Sequence, residues 1–357
     1  MRILQNYLAH AVIAGTGLVL AVLVALSGIA QFVQQADNVG KGSFTALKAI
    51  EYVIAGMPQD ALQLLPMAAL IGALLGLGQL SAGNELTVIR VSGVSIWRMA
   101  RSLLAGALVL ALSALVLSEL IAPNTQRFAM HLKSMAMNQR LTLVDTQGVW
   151  AKDGNIYVNV RQLDDAGRLS GVYLYAMDEA GRLTSAAVAD RASHEAGGWR
   201  LEGLRETRLS DDRTETLAVP TRDWQSSLDP DLLDSFVVDY DSLSALSLAR
   251  YSDYLSSNGL DSNDVDIYLW SRAALPIDIV LLVLLALGFA FGPLRATGTG
   301  QRVIVGVMIG VAFYTLSRAL LHSGTVYDLH PLLTNFAPTL LLATVTVAAL
   351  ARVDRPT

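Results

Sequence analysis

The sequence predicts an α+β membrane protein: six transmembrane helices in two groups of three, with an antiparallel β domain inserted between the groups. Three observations predict it. Six stretches are each long and apolar enough to cross a bilayer. The charged residues are concentrated between Arg127 and Asp264 instead of being spread along the chain. That charged stretch alternates apolar and polar side chains between turn signals, as half-buried strands do. Composition agrees: 53% of the 357 residues are hydrophobic and only 16% charged, where soluble domains carry about 25%.

A span needs about 20 predominantly apolar residues. The first runs from about Ala9 to Val33, the second from Ala61 to Leu80 and the third from Met99 to Ala122. The fourth runs from Ala273 to Phe291, the fifth from Val303 to Leu321 and the sixth from Leu332 to Leu350. The first is read as retained and not as a signal peptide: its apolar run is too long and no small-x-small cleavage site follows.

Lys and Arg in short loops set orientation. With the N-terminus inside, the inner loops and tails hold Arg2, Arg90, Arg98, Arg101, Arg295, Arg302, Arg352 and Arg355. The short outer loops hold only Lys41 and Lys48. Both termini are therefore expected inside and the large insert outside. Domain limits follow: spans one to three over 1–122, an outer β domain over 123–265, and spans four to six over 266–357.

From Pro123 to Val265 there are 14 Lys and Arg against 22 Asp and Glu, and in the rest of the chain 12 against 9. The acidity belongs to the insert and argues against a nucleic-acid partner. Residues Gln147 to Trp224 read as strands. Asp153-Gly154 separates Val149-Trp150 from the alternating Ile156, Val158 and Val160, a hairpin signal. Val172, Leu174 and Ala176 alternate with Tyr173 and Tyr175; Glu179-Ala180-Gly181 and Gly197-Gly198 mark further turns, and Trp199, Leu201 and Gly203 alternate again. A sandwich, a jelly roll or an open barrel fits this spacing. After Asp229-Pro230 the pattern becomes helical: Ser242 is placed to cap a helix bearing Leu243, Leu246, Tyr251 and Leu255, ended by Asn258-Gly259. Tyr268-Leu269-Trp270 then marks the return to the membrane interface.

Chemistry-bearing motifs are scarce. With no cysteine there is no disulfide, thiolate ligand or cysteine nucleophile. Apart from the loose pair His322 and His330 the five histidines lack metal-ligand spacing, so no metal site and no cofactor are expected. Gly40-Lys41-Gly42 is not a phosphate-binding loop, because the upstream glycine and the following Ser or Thr are missing. An active transporter built on this chain takes its energy from another subunit.

The inner loop from Ser81 to Arg101 is the most informative stretch. Asn84 reads as the N-cap of a short helix over about 84–92, and Glu85 falls in its first turn, where a negative charge suits the helix dipole. Such a helix between two spans either receives a push from a cytoplasmic motor or is a solvated connector. Two ionisable residues fall inside spans, Asp278 and Arg318, each about 20 Å from the inner turn at 1.5 Å per residue. Equal depth predicts a candidate ion pair; the alternative is separate snorkelling to the interface.

Several segments together resemble one family. Pro66-Met67-Ala68-Ala69-Leu70, Gly72-Ala73-Leu74-Leu75-Gly76-Leu77-Gly78, Asn84-Glu85-Leu86 and Val91-Ser92-Gly93 are similar to the second span and inner loop of the lipopolysaccharide-export permeases (LptF/LptG). Gly148-Val149-Trp150-Ala151-Lys152-Asp153-Gly154 resembles that family's first outer hairpin, and Phe291-Gly292-Pro293-Leu294-Arg295 its turn after span four. Of the family's two branches the chain resembles LptG more closely, through Ser27-Gly28-Ile29, the hairpin just quoted and Leu269-Trp270-Ser271.

The resemblance implies a subunit of an ATP-binding-cassette exporter in a bacterial inner membrane, with a periplasmic jelly-roll-like domain. Its implied partners are a paralogous second permease, a cytoplasmic ATPase dimer and a bitopic periplasmic bridging protein whose single helix lies beside span one. The implied cargo is lipopolysaccharide. Carried over residue by residue, Glu85 matches the acidic residue of the ATPase-coupling helix, and Arg90 falls where the family has an uncharged residue. Lys133 matches a basic position facing the lipid head group, with Arg127 and Lys41 nearby. Gln31, Asp37 and Asn38 stand where the family places basic residues at the end of span one. A lipid with phosphates and several acyl chains needs an apolar cavity rimmed by cations. Leu26, Phe32, Met57 and Leu62 are expected to wall it below that rim. Two other readings share the architecture: the sister paralogue or another lipid or lipoprotein permease, and a non-transporting docking scaffold.

Overall fold

The structure is a computed structural model. It describes residues 2–137, 148–163, 168–195, 198–210, 213–226, 228–229, 232–233, 239–291 and 298–354. Gln147, Gly197, Pro230, the turn from Gly292 to Arg295 and Arg355 lie outside the described residues.

Six helical segments are long and apolar enough to cross a membrane. The first, α1 (Arg2–Gln35), and the second, α2 (Ala46–Ala82), are joined by a short loop around a 3-10 turn. The short α3 (Glu85–Val91) follows. Next comes one long helix in two parts: α4 (Ile96–Val116) and α5 (Ala122–Ala136), joined by a π turn at Leu117–Ile121. The third span thus runs unbroken beyond the limit read at Ala122. After the sheet come α6 (Ala245–Ser257), α7 (Asn263–Phe291), α8 (Thr299–Val326) and α9 (Pro331–Asp354).

Inside a bilayer apolar burial does not drive helices together; close packing and interhelical hydrogen bonds do. Both are present. A Cβ built on Gly15 would lie 2.3 Å from the Gly72 carbonyl oxygen, and one on Gly76 would lie 2.4 Å from that of Ala11, so α1 and α2 cross backbone to backbone. Between α7 and α9, Asn335 Nδ2 donates to the Ile267 carbonyl at 2.8 Å and Thr339 Oγ1 donates to the Asp278 carboxylate at 2.7 Å. Ser81 Oγ donates to the Ala290 carbonyl at 3.3 Å, tying α2 to α7. Leu65, Leu70, Leu74 and Leu77 of α2 are fully enclosed among Ile279, Leu282 and Val283 of α7.

The insert is one antiparallel sheet of six strands in simple meander order: β1 (Val149–Asp153), β2 (Ile156–Leu163), β3 (Leu169–Met177), β4 (Leu183–Glu195), β5 (Gly198–Ser210) and β6 (Arg213–Trp224). The β1–β2 turn is Gly154-Asn155, because Asp153 pairs with Ile156. Burial does not keep one parity along β5: Trp199 and Leu201 face the core, then Leu204 and Glu206. The inversion falls at Gly203, whose φ of +66° is the left-handed region. Opposite it stands Asp190, and beyond that Gly171, also left-handed at +65°. A crease thus crosses three strands and bends the sheet over its core, the usual use of glycine within strands.

That core is closed by α6. Trp199 is buried and its Nε1 donates to the Leu228 carbonyl at 2.7 Å. Tyr254 Oη accepts from the Lys152 amide and donates to the Lys152 carbonyl, both at 2.8 Å. Asn258 Oδ1 accepts from the Gly154 amide at 2.9 Å. The helix begins two residues later than the sequence pattern suggested: Ser244, not Ser242, is the cap, its side chain accepting from the Ser247 amide. Ser242 instead ends a 3-10 turn at Tyr240–Ser242.

Candidate functional site

At the end of the bundle away from the sheet, α3 lies against the helices by one face. Leu86 is fully buried and Ile89 packs partly behind it, which anchors the helix by about 2 kcal/mol for the leucine alone. The opposite side is open: Glu85 is exposed, as are Val88 (66%) and Val91 (83%). Asn84 occupies the position before the helix, but in left-handed geometry (φ +64°) and with no side-chain capping bond. The expected cap is therefore absent in its usual form. Arg90 differs from Glu85 in direction. Its guanidinium turns inward, donating to the Val353 carbonyl at 2.5 Å in the last turn of α9 and lying 5.7 Å from the Phe291 ring centre. A cation there complements the C-terminal end of a helix.

The sheet-side end holds the expected cations. The loop after α1 is pinned to the end of α5 by the Ser43 amide, which donates to the Ala136 carbonyl at 2.6 Å. This brings the loop of Lys41 beside the helix of Lys133. Lys41 Nζ donates to Asn38 Oδ1 at 3.0 Å, and Lys133 Nζ lies 5.2 Å from the centre of the Tyr52 ring. Arg127, nearly two turns back along α5, is half-buried and forms no ion pair among the described residues.

Below this rim a polar pocket of about 470 Å³ opens, lined among others by Gln31, Tyr52, Asp60, Gln126, Tyr240 and His322. Asp60 is held in place by Ser27 Oγ at 2.8 Å and Gln31 Nε2 at 2.5 Å. Of the four expected wall residues, Leu26 and Phe32 are exposed on α1. Met57 lies half-buried against Gly28, and Leu62, only 2% exposed, sits inside the bundle.

A second, smaller cavity of about 140 Å³ lies between α2, α7, α8 and α9. Asp278 and Arg318 both line it, but they do not form the expected pair. Asp278 takes its hydrogen bond from Thr339 of α9. Arg318 Nη1 instead reaches both carboxylate oxygens of Asp241, at 3.0 and 2.8 Å. Equal depth placed the two residues at one level; it did not give the direction each helix presents, nor the descent of the 3-10 turn carrying Asp241. Arg272 Nη2 also donates to the Asp241 carbonyl, and to that of Leu243 at 3.2 Å.

Sequence reasoning missed Asp60, Asp241 and the capping part of Glu119, whose carboxylate accepts from the Ala245 amide at 3.0 Å. Asp60 lay one residue before the apolar window and so escaped notice as intramembrane. Its neighbours Gln59 and Gln63, one helical turn apart, were the signal for a polar face there. No group of three or more His, Asp or Glu suited to a metal ion is found among the described residues.

The chain matches the family model described as lipopolysaccharide export system permease LptF/LptG over residues 6–352. It is 34% identical to the lipopolysaccharide export system permease protein LptG of Escherichia coli strain K12 over 339 residues, 94% of each chain. It is 30% identical to the LptG of Haemophilus influenzae over 340 residues, 95% of each. With six apolar helices spanning nearly the same length as these relatives, this is a multi-pass inner-membrane protein, and the chain belongs to the LptF/LptG family of lipopolysaccharide export permeases.

Proposed function

We propose that the chain is the permease subunit of an ATP-binding-cassette exporter that draws lipopolysaccharide out of the inner membrane toward the outer membrane, with ATP hydrolysis supplied by a separate subunit. Both termini and α3 lie in the cytoplasm and the sheet in the periplasm; the excess of Lys and Arg in the short loops on the α3 side supports this orientation. A cytoplasmic ATPase dimer docks on α3, with Glu85 as its charged contact and Val88 and Val91 as its apolar ones. Arg90 holds α3 to α9 and transmits the push into the bundle.

The paralogous permease closes a lipid cavity against the face between α1 and α8. Lys41, Lys133 and Arg127 meet the anionic head group at the rim, and Leu26 and Phe32 meet acyl chains below, with Met57 and Leu62 supporting the wall. A bitopic bridging protein lays its single helix on α1. Only 22% of the most apolar stretch of α1 is buried by the rest of the chain, which suits a helical neighbour. The domain limits at 122/123 and 265/266 divide the chain into two groups of spans and an outer part, the third-span helix continuing past the first limit to Ala136 and α7 starting at Asn263.

The observation that carries this reading is α3: a short helix fixed by Leu86 that presents an acidic and apolar face to solvent. Reconstitution of the chain with its paralogue, ATPase and bridging partner in lipopolysaccharide-loaded vesicles is expected to release lipid only with ATP. Glu85→Ala is expected to cut that release about tenfold, and Lys41→Glu with Lys133→Glu to weaken lipid capture. Release that is indifferent to ATP, or to all three substitutions, refutes it.

A further inference from the structure

Residues 239–245 carry the chain from the sheet region into α6, and four spans reach that segment with polar side chains. Gln59 of α2 donates to the Asp241 carbonyl at 2.8 Å, and Arg272 of α7 donates to the same oxygen. Glu119, in the π turn of the third span, caps Ala245. These three contacts hold main-chain atoms. The fourth differs: Arg318 of α8 grips the Asp241 side chain by both oxygens.

The helix that makes this side-chain contact is also the least enclosed. Only 11% of the most apolar stretch of α8 is buried, against 67% for α2. It crosses α2 at Gly310 and Gly306, where built Cβ atoms would lie 2.7 Å from Met67 Cγ and 2.9 Å from Leu74 Cδ1. Glycine at both crossings lets α8 approach α2 closely, and small sliding of packed helices is one of the ways such bundles move. The sheet-side end of α8, however, is tethered through one guanidinium to the segment that leads into the sheet domain. The pair is partly enclosed, with 23% of the Arg318 and 36% of the Asp241 side chain exposed, and it borders the 140 Å³ cavity, into which a displaced guanidinium has room to move.

We propose that Arg318 and Asp241 are positioning residues: their ion pair passes movement of α8 to the sheet domain, so that lipid leaving the bundle meets a sheet moved with it. This rests on the export reading above and adds the residues that join the two halves of the machine. One guanidinium nitrogen lies between both carboxylate oxygens, so charge strengthens the hydrogen bonds that hold Asp241. Asn in place of Asp241 keeps the size and leaves the main-chain contacts in place, while removing the charge and one of the two acceptor oxygens.

The test uses the complete exporter in vesicles loaded with lipopolysaccharide, measuring ATP hydrolysed and lipid released per folded complex recovered by size exclusion. Asp241→Asn and Arg318→Gln are each expected to keep hydrolysis within about twofold while lipid released per ATP falls about tenfold. Arg318→Lys, which keeps the charge, is expected to restore most of that ratio. An unchanged ratio in both neutral variants overturns the proposal. So does a ratio lowered equally by Arg318→Lys, and so does a loss of hydrolysis and release in step. If the unaltered complex releases no lipid on ATP addition, the export reading itself fails, and the two failures are told apart.

Discussion

Tyr7 Oη donates a 2.6 Å hydrogen bond to the Glu85 carboxylate, joining the first turns of α1 to the first turn of α3. The bond lies at the surface, so solvent screens it and its own contribution to stability is small. What it fixes is the direction of the carboxylate. Tyr7→Phe is expected to leave the amount of folded protein unchanged and to weaken ATPase binding by no more than a few fold, whereas Glu85→Ala weakens it further. Titration of the detergent-solubilised permease with ATPase measures both. Equal losses in the two variants would mean that Tyr7 itself is the contact.

The α1–α2 crossing has no room for a side chain at Gly72, where a built Cβ would lie 2.3 Å from the Thr16 amide nitrogen. Gly72→Val is expected to cost about 3 kcal/mol or more through overpacking, read as loss of folded protein after detergent extraction. Gly17, one residue beyond that contact, has nothing within 4 Å of a built Cβ. Gly17→Ala is expected to leave extraction and melting temperature unchanged.

The crease in the sheet depends on Gly203. An added Cβ there would lie 2.4 Å from Asp190 Oδ2, in a backbone conformation that L side chains avoid. Gly203→Ala is expected to destabilise the protein by about 1–3 kcal/mol, seen as a lower melting temperature. Gly181, left-handed in the exposed β3–β4 turn with open space around it, gives the comparison: Gly181→Ala carries the backbone strain without the collision.

Burial in the contact between α6 and β1 holds the Tyr254 phenol above its ordinary value, with Asp153 pushing the same way and the bond from the Lys152 amide opposing. Tyr251 beside it is raised too, first by burial and then by Tyr240. The folded state therefore holds these protons more tightly than the unfolded chain. The stability they support is full below about pH 10, the free phenol value, and is lost as pH rises toward the folded value. Thermal melts from pH 8 to 11 are expected to show a falling alkaline limb that is shallower in Tyr254→Phe.

The six spans were legible because a bilayer demands one thing of every position along about 20 residues. The hairpins were legible because glycine and asparagine turns punctuate a period of two. The sequence misled where the answer lay in direction and not in position. Ser242 and Ser244 are equally good caps on paper; in the fold Ser242 is taken up by a 3-10 turn whose Asp241 carbonyl accepts from Gln59 and Arg272. Asp278 and Arg318 were placed at one depth, but the partner of Arg318 comes from outside the spans altogether. Leu62 reads as one more apolar wall residue, and only the packing of α2 against α7 shows it facing inward. A short helix does follow α2 where the sequence put it, yet nothing local shows that Arg90 binds a carbonyl 263 residues away.

The helix from Ile96 to Ala136 has 41 residues, which at 1.5 Å each is about 60 Å of rod. Hydrocarbon fills only about 30 Å of a membrane and head groups bring the total to about 45 Å. Even leaning by about 40°, near the limit for spanning helices, the rod reaches beyond the acyl layer. The surplus, roughly 15 Å at that tilt, is shared between the end bearing Arg98 and the end bearing Lys133. A helix with that much length to spare carries its charged turns, Lys133 included, on a mast that the acyl layer alone does not fix in height.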